Sequence, residues 1–244
     1  YVGPGQHLYV AGVSRSFQKS YLSCYSFFTL YDAALESVPR ARMTMESSEN
    51  PFGAVGGNSY RLQRSYERAG FAGRLDVLEW MSQDPGYELR LSSTAICQEA
   101  TRGGHLNVLQ WAHSSGCPWD EKTCWLAARY GHLDVLRWAR TNGCPWDCET
   151  SWQAALGGHL PVLQWAHANE CPWGSATCAM AAKGGHLGIL QWAHAMGCPW
   201  DSWTCRMAAE AGHLPVLQWA RSMRCPWDSW TCAMAAEGGQ FEVL

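Results

Sequence analysis

The sequence predicts an all-α protein, an α-solenoid built from stacked antiparallel helix pairs. Two observations lead to this prediction. A block of the form Gly-His-Leu-x-Val-Leu-Gln-Trp-Ala fills residues 104–112 and returns with a histidine every 27 residues, at His105, His132, His159, His186 and His213. A second block, Cys-Pro-Trp-Asp-x-x-Thr-Cys-x-x-Ala-Ala, alternates with it and begins, with small departures, at Cys117, Cys144, Cys171, Cys198 and Cys225. A fixed period of about 20–50 residues is typical of an array of stacked units.

Composition excludes several classes of function. The chain has 244 residues, of which 47% are apolar and only 16% are charged, with a formal net charge of -3. No run of Lys and Arg forms a basic stripe, so we expect no nucleic-acid partner. No apolar run reaches the roughly 18–20 residues that a membrane span needs, so we expect no membrane partner. The chain begins at Tyr1 and its last residues open a helix, which indicates a fragment of a longer intracellular protein, cytoplasmic or nuclear.

Residues 1–28 form the first predicted segment, short and helical. It resembles the second half of an F-box, through the pattern Val13-Ser14-Arg15-Ser16-Phe17. The first helix of that module is absent from the sequence. The alternative interpretation is a helical lead-in that caps the array.

Residues 29–59 form a degenerate repeat followed by a loop. The run Thr29–Ser37 is similar to the first helix of the repeat, and the following Ser, Asn and Gly residues around Pro51 indicate a loop. The array itself occupies residues 60–244, with the last repeat incomplete. Its first copy has Arg74 in the histidine place, and an enlarged loop over residues 83–93 adds four residues to the period there.

One unit illustrates how the residues specify two helices. Asp120 stands where a helix N-cap is expected, so the first helix should begin at Glu121. Gly131 should end that helix, because glycine readily adopts the left-handed conformation of a C-cap. The second helix is predicted over residues 133–140. Pro161, one unit later, fits only the first turn of a helix and supports that start.

Two tryptophan positions recur in every unit and should contribute to the contacts between units. Because two short helices alone bury too little apolar surface, neighbouring units must supply the rest. These side chains are Trp111, Trp138, Trp165, Trp192 and Trp219 in the second helix, and Trp119, Trp146, Trp173, Trp200 and Trp227 in the turn.

The run Thr123–Leu136, Thr-Cys-x-x-Ala-Ala-x-x-Gly-His-Leu-x-Val-Leu, resembles the ankyrin repeat. Cys124 replaces the proline of that signature, and Leu126 stands at its first histidine. The period of 27 is shorter than the family's 33 or so, which implies that a tight turn replaces the projecting β-hairpin. Short Trp-rich arrays of this kind are similar to ankyrin-like proteins of large DNA viruses, algae and water moulds. The resemblance implies protein binding, on the concave face along the first helices.

Cysteine and histidine recur at fixed positions and are the candidate sites of chemistry. Ten of the 12 cysteines fall on two repeat positions, which favours buried packing in a reducing compartment. Only Cys144 and Cys148 have the short spacing of a zinc-ligand pair, so a zinc-stabilised array is a further alternative. The repeated histidine is expected to bond a backbone group at the helix junction. No catalytic constellation stands apart from the repeat, so we predict no enzyme and no cofactor.

Variable residues within a constant frame are where recognition is expected. On the first helix these are the residues two, five and nine places after the Asp position, which we call the first-helix stripe. We predict that it binds a protein partner, the chain itself being a monomer. An alternative is a substrate adaptor whose F-box-like segment binds ubiquitin-ligase components. The predicted contact residues are Lys122, Trp125, Arg129, Glu149, Trp152, Lys183, Trp203, Arg206, Glu210, Trp230 and Glu237.

Overall fold

A computed structural model describes residues 58–83 and 94–240. The F-box-like segment, the decayed repeat and the enlarged loop therefore lie wholly or mostly outside the described residues. Within these ranges the chain forms thirteen helices and no strand, which confirms the all-α prediction and the loss of the hairpin. The helices are α1 Asn58–Phe71, α2 Leu75–Gln83, α3 Ala95–Gly103, α4 Leu106–Ser114, α5 Glu121–Tyr130, α6 Leu133–Thr141, α7 Cys148–Gly157, α8 Leu160–Ala168, α9 Ser175–Lys183, α10 Leu187–Ala195, α11 Ser202–Glu210, α12 Leu214–Ser222 and α13 Ser229–Glu237.

The described residues fall into two compact units. One contains residues 58–64 and 76–83, and the other contains Ser65–Leu75 and 94–240. The second unit holds the regular repeats. No helix within the described ranges has the length and apolar character that crossing a bilayer requires.

The first helices of successive repeats, α3, α5, α7, α9, α11 and α13, pack directly on one another, and the first five also pack on the second helix of their own repeat. The contact positions carry small side chains. Cys124, Ala127 and Ala128 of α5 are completely buried, as are the matching small residues of α7, α9 and α11. Small side chains allow the helix backbones to approach closely, so the first helices form the tightest part of the stack.

The second helices contribute an apolar arc and a ladder of rings. Leu136, Leu163 and Leu190 are completely buried. The second-helix tryptophans are only half-buried. Four of them, Trp138, Trp165, Trp192 and Trp219, each meet a tryptophan of the preceding turn; the Trp119 and Trp138 ring centroids lie 5.6 Å apart. His113 stacks on Trp119 at 4.0 Å. The Leu, Val, Ala and Cys positions therefore form the buried core, and the tryptophans form its partly solvated outer edge.

Asp120 and Gly131 occupy the predicted N-cap and C-cap positions of α5, but the side-chain cap bond expected of Asp120 occurs only at the equivalent aspartates of other repeats. The Asp147 carboxylate accepts a hydrogen bond of 2.9 Å from the Glu149 amide, and Asp201 does the same for Trp203. Asp120 occupies the same place in extended backbone but makes no such bond. Its carboxylate instead accepts hydrogen bonds of 3.2 Å from the Gln98 amide in the preceding unit.

The repeated histidine bonds a backbone carbonyl, as predicted, but the carbonyl belongs to the preceding unit. Nε2 of His159 lies 3.1 Å from the Arg129 carbonyl oxygen at the end of α5. The ring also covers Gly131, where an added Cβ would lie 2.5 Å from Nδ1. Burial lowers the pKa of His159, which favours the neutral ring that donates from Nε2. The same bond recurs from His132, His186 and His213, at 3.3, 3.2 and 3.0 Å.

Candidate functional site

The first-helix stripe is a continuous surface. Residues two, five and nine places after the cap lie within about 60° of each other around an α-helix, because each residue turns it by about 100°. The neighbouring positions face inward, as the full burial of Thr204, Cys205 and Ala208 shows in α11. Since the first helices stack side by side, each repeat adds up to three side chains to one face; in α9 the middle one, Ala179, is completely buried.

The tryptophans of the stripe differ in exposure along the array. Trp125 and Trp152 are half-buried. Trp203 is 38% exposed and Trp230 is 57% exposed, the largest exposure among the large apolar side chains that the structure describes. The sequence left open whether these two side chains only cover the adjacent turn. Their exposure leaves both rings available to a partner.

The charged residues of the stripe are connected across repeats. The Arg206 guanidinium binds the Asp228 carboxylate, the cap of the next first helix, with Nε 3.0 Å from Oδ2. This guanidinium lowers the pKa of Asp228 to about 2. The Lys183 ammonium lies 3.4 Å from the Glu210 carboxylate one repeat later.

The remaining predicted residues lie at the N-terminal side of the stripe or at its far end. Arg129 donates a hydrogen bond of 3.3 Å to the Gln153 side chain, which in turn donates to Glu149 at 3.5 Å. Lys122 and Glu237 are exposed. The structure therefore brings the predicted residues onto one face, with Arg206 already bound to Asp228.

Sequence reasoning missed one cluster on this surface. The Arg102 guanidinium lies 5.6 Å from the Phe71 ring and 5.7 Å from the Tyr130 ring, between the two aromatic side chains. Phe71 and Tyr130 are 47% and 42% exposed. The repeat period could have found Arg102, because it stands 27 residues before Arg129.

The cysteines pack as pairs within a repeat. The Cys124 thiol lies beside Cys144 and points toward its carbonyl oxygen, at 4.0 Å. The hydrogen bond shared with Cys144, and then burial, raise the pKa of Cys124. Burial raises the pKa of Cys171 to about 11. Within the described ranges no three His, Cys, Asp or Glu side chains are grouped as a metal site would require.

Comparison with known proteins shows the fold. No family model matches the sequence, and no curated protein sequence matches it significantly. Among solved structures, the crystal structure of the human ASB11 ankyrin repeat domain is similar, with a TM-score of 0.52 and 15% sequence identity. The match covers 64% of this chain and 82% of that chain. At this identity the likeness establishes an ankyrin-like helical repeat.

Proposed function

We propose that the array is a protein-interaction scaffold that acts as a monomer and binds a partner on the first-helix stripe. The observation that carries the proposal is the exposure of Trp203 and Trp230, one repeat apart, on a frame whose other residues recur. Tryptophan and arginine are enriched among residues that dominate binding energy at protein interfaces. Binding, without chemistry of the chain's own, is the role this surface supports.

The packing of the array supports the choice of face. The first helices contact each other more extensively than the second helices do. Such packing favours curvature toward the first-helix side, where an ankyrin-like array is expected to be concave. On the second-helix side the aromatic residues are occupied by each other, as in the stack of His194 on Trp200 at 4.2 Å.

The test begins with selection of binding peptides from a displayed random library on the immobilised 244-residue chain. Their affinities are then measured for the parent, for Trp203→Ala with Trp230→Ala, and for Gln191→Ala with Gln218→Ala. The two glutamines are exposed on α10 and α12, the second helices just before and just after α11 along the chain, and provide the matched control. Loss of a binding hot spot of about 2 kcal/mol weakens affinity roughly 30-fold.

We expect the peptides to bind the tryptophan variant about 30-fold more weakly than the parent chain, and to bind the glutamine variant within about twofold of the parent affinity. Circular dichroism melting of each variant checks the fold. Peptides that bind all three proteins equally would place the binding surface elsewhere. The ligase-adaptor alternative depends on residues 1–28, outside the described residues, and stays a prediction.

A further inference from the structure

The last turn of each first helix places one side chain at an equivalent point in successive repeats. We call these residues the terminal row: Arg102, Arg129, Leu156, Lys183, Glu210 and Glu237, spaced 27 residues apart. The carbonyl groups of the first four accept hydrogen bonds from the repeated histidine. The backbone beneath the row is thus held in the same way from repeat to repeat, and the side chain is what changes.

The terminal row is ordered by charge. Two arginines stand at its N-terminal end and two glutamates at its C-terminal end, and the sign changes between Lys183 and Glu210. Those two residues neutralise each other in an ion pair of 3.4 Å. Arg102 lies 3.8 Å from the Glu99 carboxylate of its own helix. Within the described residues, no ion pair compensates Arg129 or Glu237, so opposite charges remain at these two positions.

Local helix physics does not account for the glutamates. The C-terminal end of a helix carries partial negative charge, so a carboxylate in the last turn is unfavourable by about 0.3–1 kcal/mol, whereas an arginine there is favourable. Glu237 lies in the last turn of α13, and no basic residue is present in that turn. A residue that opposes the stability of its own helix is more readily explained by an interaction outside it.

Lys122 and the C-terminal tryptophans of the first-helix stripe extend the same asymmetry, whereas Glu149 on α7 opposes it and Arg206 is already bound to Asp228. Exposed Lys122 lies on α5 with Arg129, so the N-terminal end presents two basic side chains. Exposed Trp230 lies on α13 with Glu237, and Trp203 lies one repeat before it. A tryptophan ring beside a carboxylate fits a cation, because the ring face attracts it and the carboxylate pairs with it.

We propose that the partner is a polypeptide segment of mirrored charge order, with acidic residues over Lys122 and Arg129 and basic residues over Trp230 and Glu237. This inference rests on the proposed function and names the chemistry of its ligand. Four repeats separate Arg129 from Glu237. At about 8–10 Å between packed helices, the two ends lie roughly 30–40 Å apart. An extended segment spans that distance with about 10–12 residues at about 3.4 Å each.

The probe is a set of fluorescein-labelled peptides of defined charge. The two-block peptide has four glutamates, a ten-residue Gly-Ser spacer and four arginines. Two single-block peptides replace one charged block with serine, and a short-spacer peptide omits the spacer, so that its eight residues span only about 27 Å. Affinities for the 244-residue chain are measured by fluorescence anisotropy at low salt. Because the second block binds intramolecularly, we expect the two-block peptide to bind at least about tenfold more tightly than either single-block peptide.

Charge reversal then assigns each block to its end. Lys122→Glu with Arg129→Glu should lower the affinity of the two-block peptide to that of the single-block peptide that keeps only the arginines. Glu237→Lys should lower the affinity of the two-block peptide to that of the single-block peptide that keeps only the glutamates. The short-spacer peptide should lose the tenfold advantage on the parent chain. All three substituted positions are exposed or partly exposed, so the melting temperature should change little.

Four results would overturn the proposal. The two-block peptide binds no more tightly than the single blocks, or its affinity is independent of spacer length. Alternatively, sedimentation equilibrium shows self-association that the same charge reversals abolish, in which case the occupant is a second copy of the chain. Library-selected peptides that lose affinity on the Trp203 and Trp230 variant but ignore the charge reversals would refute the polarised partner and leave the scaffold function standing.

Discussion

Replacing the glycine beneath a repeated histidine should destabilise the array by more than the cost of placing an L-residue in the left-handed conformation, because the new side chain also displaces the histidine ring. Two glycines of one repeat allow this to be measured. Gly131 has φ of 81° and Gly143 has φ of 84°, so both adopt the left-handed conformation. A Cβ on Gly143 would meet nothing within 4 Å, whereas one on Gly131 would lie 2.5 Å from Nδ1 and 2.6 Å from Cε1 of His159.

The magnitude for Gly143→Ala follows from the backbone alone. A left-handed conformation costs an L-residue about 1–2 kcal/mol. Alanine also restricts the unfolded chain, which returns about 0.4–1 kcal/mol. We therefore expect Gly143→Ala to destabilise the array by about 1 kcal/mol.

Gly131→Ala carries the same backbone cost and a second cost at His159. The new methyl group displaces the ring, so the 3.1 Å bond from Nε2 to the Arg129 carbonyl is lost. That carbonyl lies at the end of α5, where helix carbonyls lack intrahelical partners, and leaving it unsatisfied costs about 1–3 kcal/mol. The expected total destabilisation is about 2–4 kcal/mol, of which the backbone contribution of about 1 kcal/mol is measured by the control Gly143→Ala.

The assay is equilibrium urea unfolding followed by circular dichroism at 222 nm, with the midpoint and slope recorded for each variant. Repeat arrays can unfold in stages, so the transitions are fitted with a nearest-neighbour model. In a His159→Ala background, Gly131→Ala should cost no more than Gly143→Ala, because the ring it would displace is gone. Equal costs for the two glycines in the parent chain would refute the reasoning, as would an unchanged cost of Gly131→Ala in the His159→Ala background.

Three further predictions concern the tryptophan ladder, the interrepeat ion pair and metal. Trp165→Ala should destabilise the array by about 2–3 kcal/mol in urea unfolding. This is at or below the usual 3–5 kcal/mol for core tryptophans, because the ring is half-buried and its centroid lies 5.8 Å from that of Trp146. An unchanged unfolding midpoint would contradict a packing role for Trp165. Since Arg206 lowers the pKa of Asp228 to about 2, the carboxylate stabilises the fold above its ordinary pKa, and the stabilisation is lost as the pH falls toward 2. Melting temperatures of the parent and Asp228→Asn should therefore differ at pH 6 and converge near pH 2, and a constant difference would argue against the ion pair. A chelator should leave the melting temperature unchanged, and a lowered value would support the zinc-stabilised alternative.

Much of the candidate surface could be predicted from the sequence, since a fixed period converts a residue number into a position. Position within a repeat placed Trp203 and Trp230 on one face, and the structure leaves both exposed. It could not show that Arg206 binds the cap of the next helix or that Lys183 binds Glu210, because these contacts join residues 22 and 27 apart across an interface. Whether the face binds a partner is tested by the affinities proposed above.

The sequence by itself determined the helix pair, its caps and the length of the repeat. Asp147 at an N-cap and Gly131 at a C-cap act through local backbone chemistry, which the order of residues contains. Only the tertiary structure decided what joins one repeat to the next. His159 reaches a carbonyl 30 residues back, and the tryptophans are left half-buried over a core of Leu and Ala. The physical reason is that burial and interrepeat hydrogen bonds depend on how closely the neighbouring backbones approach, and that distance is fixed only when the small residues of adjacent first helices meet.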